Sequence, residues 1–303
     1  MAKPLVSVCC ITYNHAKFIE QCLDGFLMQK TSFDVEFLIH DDASTDNTQE
    51  LITNKVSNDP RFKLILREKN IKSLGISVTP LLFEIAQGKY IALCEGDDYW
   101  VDCNKLKNQV DILEKNNDLT LVSSAFISIF NNKIIHNSNK VVNTSEKGFV
   151  FGLDLMNKFY LTKTLTLLFR ANLAKQYLNV IKDFKYARDV HLSFFLLNHG
   201  NGFYLNDETG VFNLHDGGVN SLKSSQFKYK NAYLLYKEMS ENWGCGFISL
   251  QLFKKSAGYL LYNIKNRKLK LSLLIKLSFT IIKSITYYLI YILTNRFYYK
   301  KFN

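Results

Sequence analysis

Short apolar runs alternate with amphipathic segments along the first 118 residues. The apolar runs have the length of buried strands and cover residues 5–11, 35–39, 62–66 and 90–94. The amphipathic segments repeat apolar residues at helical spacing and cover residues 17–29, 45–57, 74–87 and 103–116. Strands that alternate with helices of this length predict an α/β fold with a mostly parallel sheet and flanking helices.

The next hundred residues have a less regular pattern. An apolar run predicts a strand over 119–130, and alternating Thr and Leu predict a strand over 161–170. Residues 188–198 have helical spacing, and residues 203–214 predict one or two short strands that end at His215. These elements extend the same α/β domain.

Polar residues stand where three of the predicted parallel strands end. They are Thr12, Tyr13 and Asn14 after the first strand, Asp41 and Asp42 after the second, and Glu95, Asp97 and Asp98 after the fourth. The carboxyl ends of parallel strands share one edge of the sheet, and ligands bind at that edge. We therefore expect the three sets to meet there.

The acidic cluster after the fourth strand holds three carboxylates within four residues. Their mutual repulsion is relieved by a bound cation. Oxygen ligands suit Mg²⁺ or Mn²⁺, which bind substrate phosphates as well. The cluster therefore predicts a metal site for a nucleotide diphosphate, and the alternative is a solvated acidic loop before the next helix.

The pair Asp41-Asp42 also has two interpretations. Ser44, Thr45 and Asp46 follow it, and such residues are ordinary helix N-caps. A carboxylate in this position can instead accept a hydrogen bond from the imide N–H of a uracil. Both roles can be filled by different residues of the segment.

The positive charge of the chain lies almost entirely in its last part. The formal net charge is +11, and residues 242–303 contain 11 Lys or Arg and no Asp or Glu. A basic tail favours an anionic surface, either nucleic acid or the inner face of a membrane. No basic segment followed by an apolar one stands at the N-terminus, so we expect a cytoplasmic catalytic part.

The composition of the tail favours lipid over nucleic acid. Residues 268–293 mix apolar runs with Lys268, Lys270, Lys276 and Lys283, and the longest charge-free stretch, 284–295, is shorter than the roughly 20 residues of a span. We predict an amphipathic segment lying on an anionic membrane. The alternative is a helix pair packed on the catalytic domain or on a second subunit, and the sequence leaves the oligomeric state open.

Three segments at their spacing resemble glycosyltransferase family 2. They are Val6–Asn14 (VSVCCITYN), Ile39–Thr48 (IHDDASTDNT) and Gly88–Trp100 (GKYIALCEGDDYW), and the resemblance covers residues 4–220. It implies a GT-A fold, a nucleotide-sugar donor, a divalent metal and inversion at the anomeric carbon. It also implies a catalytic domain over 1–220, with a nucleotide-binding half (1–118) and an acceptor-binding half (119–220), before a helical extension over 221–303.

The resemblance assigns roles to individual residues. Thr12, Tyr13, Asn14, Asp41, Asp42 and Asp97 correspond to nucleotide-sugar-binding positions, and Asp98, Asp97, Glu95 and His215 to metal ligands. Asp189, in the segment 187–192, is the candidate general base. Glu95 stands where the family usually has Asp, and Ala43 where it usually has Gly. The Q-x-x-R-W motif of processive members is missing, which favours transfer of a single sugar.

These observations predict an inverting hexosyltransferase of bacterial surface polysaccharide synthesis, such as O-antigen, capsule or lipooligosaccharide. A membrane-bound enzyme on the cytoplasmic side of the inner membrane suits a polyprenyl-diphosphate-linked glycan acceptor, with a UDP-sugar as donor. The alternatives are a nucleotidyltransferase and a non-catalytic glycan-binding or scaffold module. We expect no nucleic-acid partner.

Overall fold

The computed structural model describes residues 3–131, 133–137, 147–156, 161–182, 184–186, 188–216, 224–243 and 246–294. They form two compact units. The first comprises Met1–Lys182 and Leu192–His215, and the second comprises Asp183–His191 and Asp216–Asn303. The domain bounds given above stay a prediction, and they differ from these units in the placement of residues 183–191 and 216–220.

The strands of the first unit form one mixed sheet. Its strands are β1 (Val6–Thr12), β2 (Val35–Asp41), β3 (Phe62–Leu66), β4 (Tyr90–Glu95), β5 (Tyr99–Trp100), β6 (Leu119–Phe130), β7 (Lys133–Asn137), β8 (Gly148–Phe151), β9 (Leu168–Arg170) and β10 (Asn201–Leu214). The order is β3-β2-β1-β4-β9-β6-β10-β5, with β7 paired to β6 and β8 to β10. The pairs β1–β2, β1–β4, β2–β3 and β6–β10 are parallel. The α/β prediction is confirmed.

Helices connect these strands and pack against the sheet. They are α1 (Ile19–Leu27), α2 (Thr48–Val56), α3 (Val78–Ile85), α4 (Lys105–Lys115), α5 (Leu153–Met156) and α6 (Ala171–Ile181), while α7 (Asp189–Asn198) begins in the second unit and continues into the first. The rings of Phe26, Phe37 and Phe62 stack in sequence, and Trp100 packs edge-on against Phe26. This buried apolar layer supports the strands that carry the polar ends.

Two sequence predictions in the second half need correction. The Thr/Leu alternation over 161–170 forms a strand only at Leu168–Arg170, because Thr164–Thr166 is a turn of 3-10 helix. There the Thr166 hydroxyl donates to the Lys163 carbonyl at 2.7 Å, a local bond that competes with strand pairing. The predicted one or two short strands over 203–214 are a single 14-residue strand, β10, with irregular register near Glu208.

The second unit is helical, as predicted for the C-terminal part. It contains α8 (Ser225–Trp243), α9 (Gly246–Lys265) and α10 (Leu271–Thr294). A small core of Tyr233, Leu252, Tyr259 and Leu277 joins the three helices. The helices therefore hold one another through a core of their own.

Candidate active site

The carboxyl ends of β1, β2 and β4 lie side by side. Thr12 is the register partner of Asp41, and Ile11 is the partner of Glu95. The Asp42 amide donates to the Thr12 carbonyl at 3.0 Å, and the Gly96 amide donates to the Ile11 carbonyl at 2.9 Å. The prediction that the three polar sets meet at one edge of the sheet is confirmed.

The loop after β4 is closed tightly and tied to β10. The Asp98 amide donates to the Glu95 carbonyl at 3.0 Å. The Asn213 amide donates to Asp98 Oδ1 at 2.9 Å, and Asn213 Nδ2 donates to the Asp97 carbonyl at 2.7 Å. A Cβ on Gly96 would lie 2.6 Å from Cβ and Oγ1 of Thr12, so only glycine allows this approach. Strand β10 thus positions the acidic loop, a role that the sequence did not predict for Asn213.

The acidic loop holds carboxylate oxygens that the surrounding residues leave unsatisfied. Asp98 is 1% exposed. Asp98 Oδ2 and Asp97 Oδ1 are buried and accept no hydrogen bond from the residues described here. Burial, followed by the charges of Asp97 and Glu95, raises the pKa of Asp98 well above its usual value. Buried carboxylate oxygens without donors fit a bound cation, and oxygen ligands suit a divalent one.

Two groups of side chains have the geometry to hold that cation. Ligand atoms of Glu95, Asp97 and Asp98 lie within 4.8 Å of one another, and so do those of His15, Asp97 and His215. Asp97 belongs to both groups. The predicted ligands Glu95, Asp97, Asp98 and His215 are therefore brought together at one place, and their role as metal ligands stays a prediction.

The histidines converge on one oxygen of Asp97. His215 Nε2 lies 3.2 Å and His15 Nε2 lies 3.6 Å from Asp97 Oδ2. The ring of Phe18 packs on His215 with centroids 4.6 Å apart. Burial lowers the pKa of His15, against the opposing effect of Asp97, and a neutral imidazole is the form that binds metals. Sequence reasoning missed His15, and its place directly after Thr12-Tyr13-Asn14 was the signal that pointed to it.

The two carboxylates after β2 are buried and hydrogen-bonded. Asp41 accepts bonds from the Ser44 amide at 2.8 Å, the Ser44 hydroxyl and Gln49 Nε2 at 2.7 Å. Asp42 accepts the amides of Ile71 at 2.9 Å and Lys72 at 3.0 Å. Each oxygen of Asp42 takes one of these bonds and can accept a second. Both residues shape the loop, and their contact with a base stays a prediction.

The start of helix α2 shows how far the N-capping alternative holds for that segment. Helix α2 begins at Thr48, whose amide donates to Asp46 Oδ1 at 3.1 Å. The N-cap position itself is Asn47, whose side chain makes no capping bond, so Asp46 satisfies the first amide of the helix from the residue before the cap.

A pair of left-handed residues joins the first two polar sets. Asn14 has φ +57° and Ala43 has φ +62°. Asn14 Oδ1 accepts the Thr45 amide at 2.7 Å, and the Asn14 amide donates to Ser44 Oγ at 2.8 Å. Thr12 is buried while the side chain of Tyr13 is 42% exposed. Asn14 therefore fixes the loop, and Tyr13 presents its ring outward.

The candidate base, Asp189, is the first residue of α7 and belongs to the second unit. It is exposed, and its Oδ1 accepts the amide of Val190 at 3.0 Å. Its role in proton transfer stays a prediction. Ala187, in the segment that carries Asp189, and Gly217 and Gly218, which follow His215 closely, lie outside the described residues.

Similarity to known proteins covers both sequence and fold. An Escherichia coli UDP-Glc:alpha-D-GlcNAc-diphosphoundecaprenol beta-1,3-glucosyltransferase, WfgD, is 33% identical over 131 residues, 43% of this chain and 49% of that protein. An uncharacterised protein of Mycobacterium tuberculosis is 42% identical over 118 residues, 38% of this chain and 33% of that protein. The matched regions thus cover half or less of these relatives.

The fold is similar to that of solved glycosyltransferases. The structure of Staphylococcus aureus TarS 1-349 with UDP-GlcNAc has a TM-score of 0.65 at 18% identity and covers 92% of this chain and 79% of that one. A mannosyltransferase of Pyrobaculum calidifontis with GDP-Man and Mn²⁺ has a TM-score of 0.50 at 14% identity, covering 95% and 88%. The GT-A type of fold is confirmed.

The sequence profile of glycosyl transferase family 2 matches residues 7–175, which is more than half of the chain. The match spans β1, β2, β4 and the acidic loop and ends after β9, while Asp189, Asn213 and His215 lie beyond it. The chain belongs to glycosyltransferase family 2.

Proposed function

We propose that this glycosyltransferase moves one sugar from a UDP-sugar to a hydroxyl of a lipid-linked glycan, with inversion, in bacterial surface polysaccharide synthesis. One observation carries the proposal. Two buried carboxylate oxygens, of Asp97 and Asp98, accept no hydrogen bond from the described residues. They lie at the edge of the sheet where Thr12, Asp41 and Asp42 also lie. A nucleotide diphosphate with a divalent cation fits that arrangement.

The donor nucleotide is proposed to lie over the ends of β1 and β2. Asp42 retains acceptor capacity toward a uracil imide, and the exposed ring of Tyr13 can stack on a base. The choice of UDP is supported by the similar structure that holds UDP-GlcNAc and by the name of the E. coli relative.

The cation is proposed to be held by Asp97 and Asp98, with Glu95, His215 and His15 as further candidate ligands. A set that mixes carboxylates with imidazole favours Mn²⁺ over Mg²⁺. When bound, the cation neutralises the charge that develops on the diphosphate leaving group. The similar structure with GDP-Man and Mn²⁺ supports this choice.

Asp189 is proposed to remove the proton of the acceptor hydroxyl as it attacks the anomeric carbon. Attack opposite the departing diphosphate inverts that carbon. Asp189→Asn should lower the transfer rate by about 100-fold or more, while nucleotide-sugar binding stays unchanged. A matched control is Glu241→Gln, another exposed acid of the helical unit. Transfer by the Asp189 variant at the wild-type rate would place the base elsewhere.

The acceptor is proposed to be a polyprenyl-diphosphate glycan. The E. coli relative acts, by its name, on alpha-D-GlcNAc-diphosphoundecaprenol. Incubation of the protein with UDP-sugars, Mn²⁺ and a short-chain GlcNAc-diphospholipid, followed by mass spectrometry, tests this directly. A product heavier by one hexose supports the proposal. Transfer only to free oligosaccharides would contradict it.

Helix α10 supports attachment to the cytoplasmic face of the inner membrane. Its side toward the helical unit buries Leu277 and Ser284, and the side turned away exposes a stripe of apolar residues. The stripe consists of Leu271, Ile275, Phe279, Ile282 and Leu289, at helical spacing. Lys276 and Lys283 are exposed beside it. An apolar stripe flanked by lysines fits a helix lying in an anionic interface.

The same helix has the length and composition of a membrane span. Only 11% of the window Leu271–Leu289 is buried. We propose the in-plane arrangement because Lys276 and Lys283 divide the apolar stretch. Extraction of the membrane fraction at high pH distinguishes the two, since it releases an in-plane helix and leaves a spanning one.

Substitution of the stripe tests attachment itself. Phe279→Ser with Ile282→Ser should shift the protein to the soluble fraction, because it removes two exposed apolar side chains from the interface. Phe279→Leu with Ile282→Leu keeps the apolar character and serves as the matched control. Equal membrane fractions for both double variants would refute membrane attachment through α10.

A further inference from the structure

A cavity lies within the helical unit. It has a volume of about 220 Å³ and lies against one face of α8, where Phe227, Lys228, Asn231, Leu235 and Tyr236 line it. Lys255 of α9 and two residues at the start of α7, Arg188 and Val190, complete the wall. The proposed donor site uses none of these residues, and within the segment 187–192 the family resemblance gives a role to Asp189 alone.

The cavity is strongly cationic. Arg188, Lys228 and Lys255 line it, and no Asp or Glu does. Within the part of the chain that the structure describes, none of the three makes an ion pair. Lys255 is half-buried, and burial together with Lys254 lowers its pKa. Three unpaired cations around one cavity repel one another, and a bound anion relieves that repulsion.

The remaining residues that line the cavity indicate which kind of anion it fits. Tyr236 has its pKa raised to about 12 by burial and by the nearby charge of Asp189, so its hydroxyl stays protonated and can donate. Asn231 offers an amide. Val190, Phe227 and Leu235 add an apolar wall. Cations, neutral donors and an apolar wall together fit a phosphate group attached to a hydrocarbon chain.

The volume limits how much of such a ligand enters. Pockets for drug-sized ligands hold about 300–1,000 Å³. A cavity of about 220 Å³ therefore suits a headgroup and not a whole glycolipid. The cavity lies next to the proposed base along the chain, because Arg188 lines the cavity and the next residue is Asp189.

We propose that this cavity binds the diphosphate of the lipid-linked acceptor, which rests on the acceptor class proposed above. Anchoring the diphosphate on Arg188, Lys228 and Lys255 would fix the acceptor beside the segment that carries Asp189. The three cations then determine that the enzyme uses phosphate-bearing acceptors in preference to free oligosaccharides.

The test uses the full-length protein and two lysines of the cavity, each with a matched control. Lys228→Ala and Lys255→Gln remove cavity cations, while Lys230→Ala on α8 and Lys254→Gln on α9 remove exposed lysines outside it. Calorimetry measures binding of farnesyl diphosphate in detergent and EDTA, so that the metal site does not contribute. Each cavity variant should bind about 10- to 100-fold more weakly, and the controls should bind as the wild type does. Equal affinities for all five proteins would overturn the proposal.

Two further measurements separate the alternatives. With a GlcNAc-diphospholipid acceptor, the cavity variants should raise the acceptor KM about tenfold and leave the donor KM unchanged, whereas an unchanged acceptor KM refutes the cavity assignment while transfer itself persists. Vesicles containing phosphatidylglycerol distinguish a membrane-lipid headgroup. If the cavity variants lose vesicle binding but keep the wild-type affinity for farnesyl diphosphate, the cavity serves membrane lipid and the proposal is wrong.

Discussion

Replacing Asp98 by Asn should stabilise the metal-free protein and remove its response to metal. Asp98 is buried, and its carboxylate lies within 4.8 Å of ligand atoms of Asp97 and Glu95. At that distance two like charges repel by roughly 3 kcal/mol when the effective dielectric constant is about 20. Glu95 is exposed, so solvent screens its share and the pair with Asp97 dominates.

The variant keeps the shape of the loop while removing one charge. The Asn213 amide still finds an oxygen acceptor, and the new amide group can donate toward Asp97. We therefore expect a gain of about 1–3 kcal/mol in the free energy of unfolding in EDTA, which raises Tm by several degrees for a domain of this size. A gain in the free energy of unfolding when Asp98 is replaced by Asn, which has nearly the same volume, indicates that Asp98 serves binding and not stability.

Thermal unfolding in EDTA and in Mn²⁺ measures both effects. In EDTA the wild-type protein should be less stable than Asp98→Asn. With Mn²⁺ the wild type should gain stability, because a ligand that binds only the folded state raises Tm. The Asp98→Asn variant should start higher and respond weakly. The control is Asp34→Asn, an exposed acid of the same unit. A variant that is less stable than the wild type in EDTA and equally responsive to Mn²⁺ would refute the reasoning.

Three further predictions concern a buried histidine, a buried lysine and an alanine with positive φ. His191 is buried with its pKa lowered to about 4, so the folded state stays neutral while the unfolded state takes up a proton below about pH 6.5; urea unfolding should show about 2 kcal/mol of stability lost from pH 7 to pH 5, and His191→Gln should lose that much less. Lys105 is buried with its pKa lowered to about 7, so the unfolded state takes up a proton at higher pH than the folded state does. From pH 10 to pH 7.5 the free energy of unfolding should therefore fall by about 3 kcal/mol more in the wild type than in Lys105→Met. Parallel pH profiles of the two proteins would contradict this. Ala43 has φ +62°, so Ala43→Gly should raise the free energy of unfolding by up to about 1 kcal/mol and Ala43→Val should lower it, whereas the reverse order in a thermal melt would show that the backbone is unstrained.

The ends of the strands were predictable from the hydrophobic pattern of the chain. The run that ends at Thr12 and the run that ends before Glu95 are apolar on both faces, which marks parallel buried strands. The pairing of β1 with β2 on one side and with β4 on the other then brings Asp41 and the acidic loop to the same edge of the sheet, on either side of Thr12. Local pattern was sufficient for this half of the site.

The rest of the site depends on contacts between distant parts of the chain. Asn213 is separated from Asp98 by more than a hundred residues and becomes its partner through the antiparallel pairing of β10 with β5, the short strand that follows Asp98. His15 stands in a turn, where no periodicity indicates which way a side chain points. The strand predicted over 161–170 fails for a related reason, because Thr166 forms a local bond that a hydrophobic pattern does not reveal.

The most direct test of the proposed donor site is nucleotide-sugar binding measured by calorimetry. UDP-GlcNAc and UDP-Glc are titrated into the wild-type protein with Mn²⁺, into the same protein with EDTA, and into Asp97→Asn with Mn²⁺, because Asp97 belongs to both candidate ligand groups. At least one of the UDP-sugars should bind the wild type with Mn²⁺, and its affinity should fall by about tenfold or more in the other two titrations. Equal affinity in all three, or no binding of either UDP-sugar with Mn²⁺, would contradict a metal-dependent UDP-sugar site at the acidic loop.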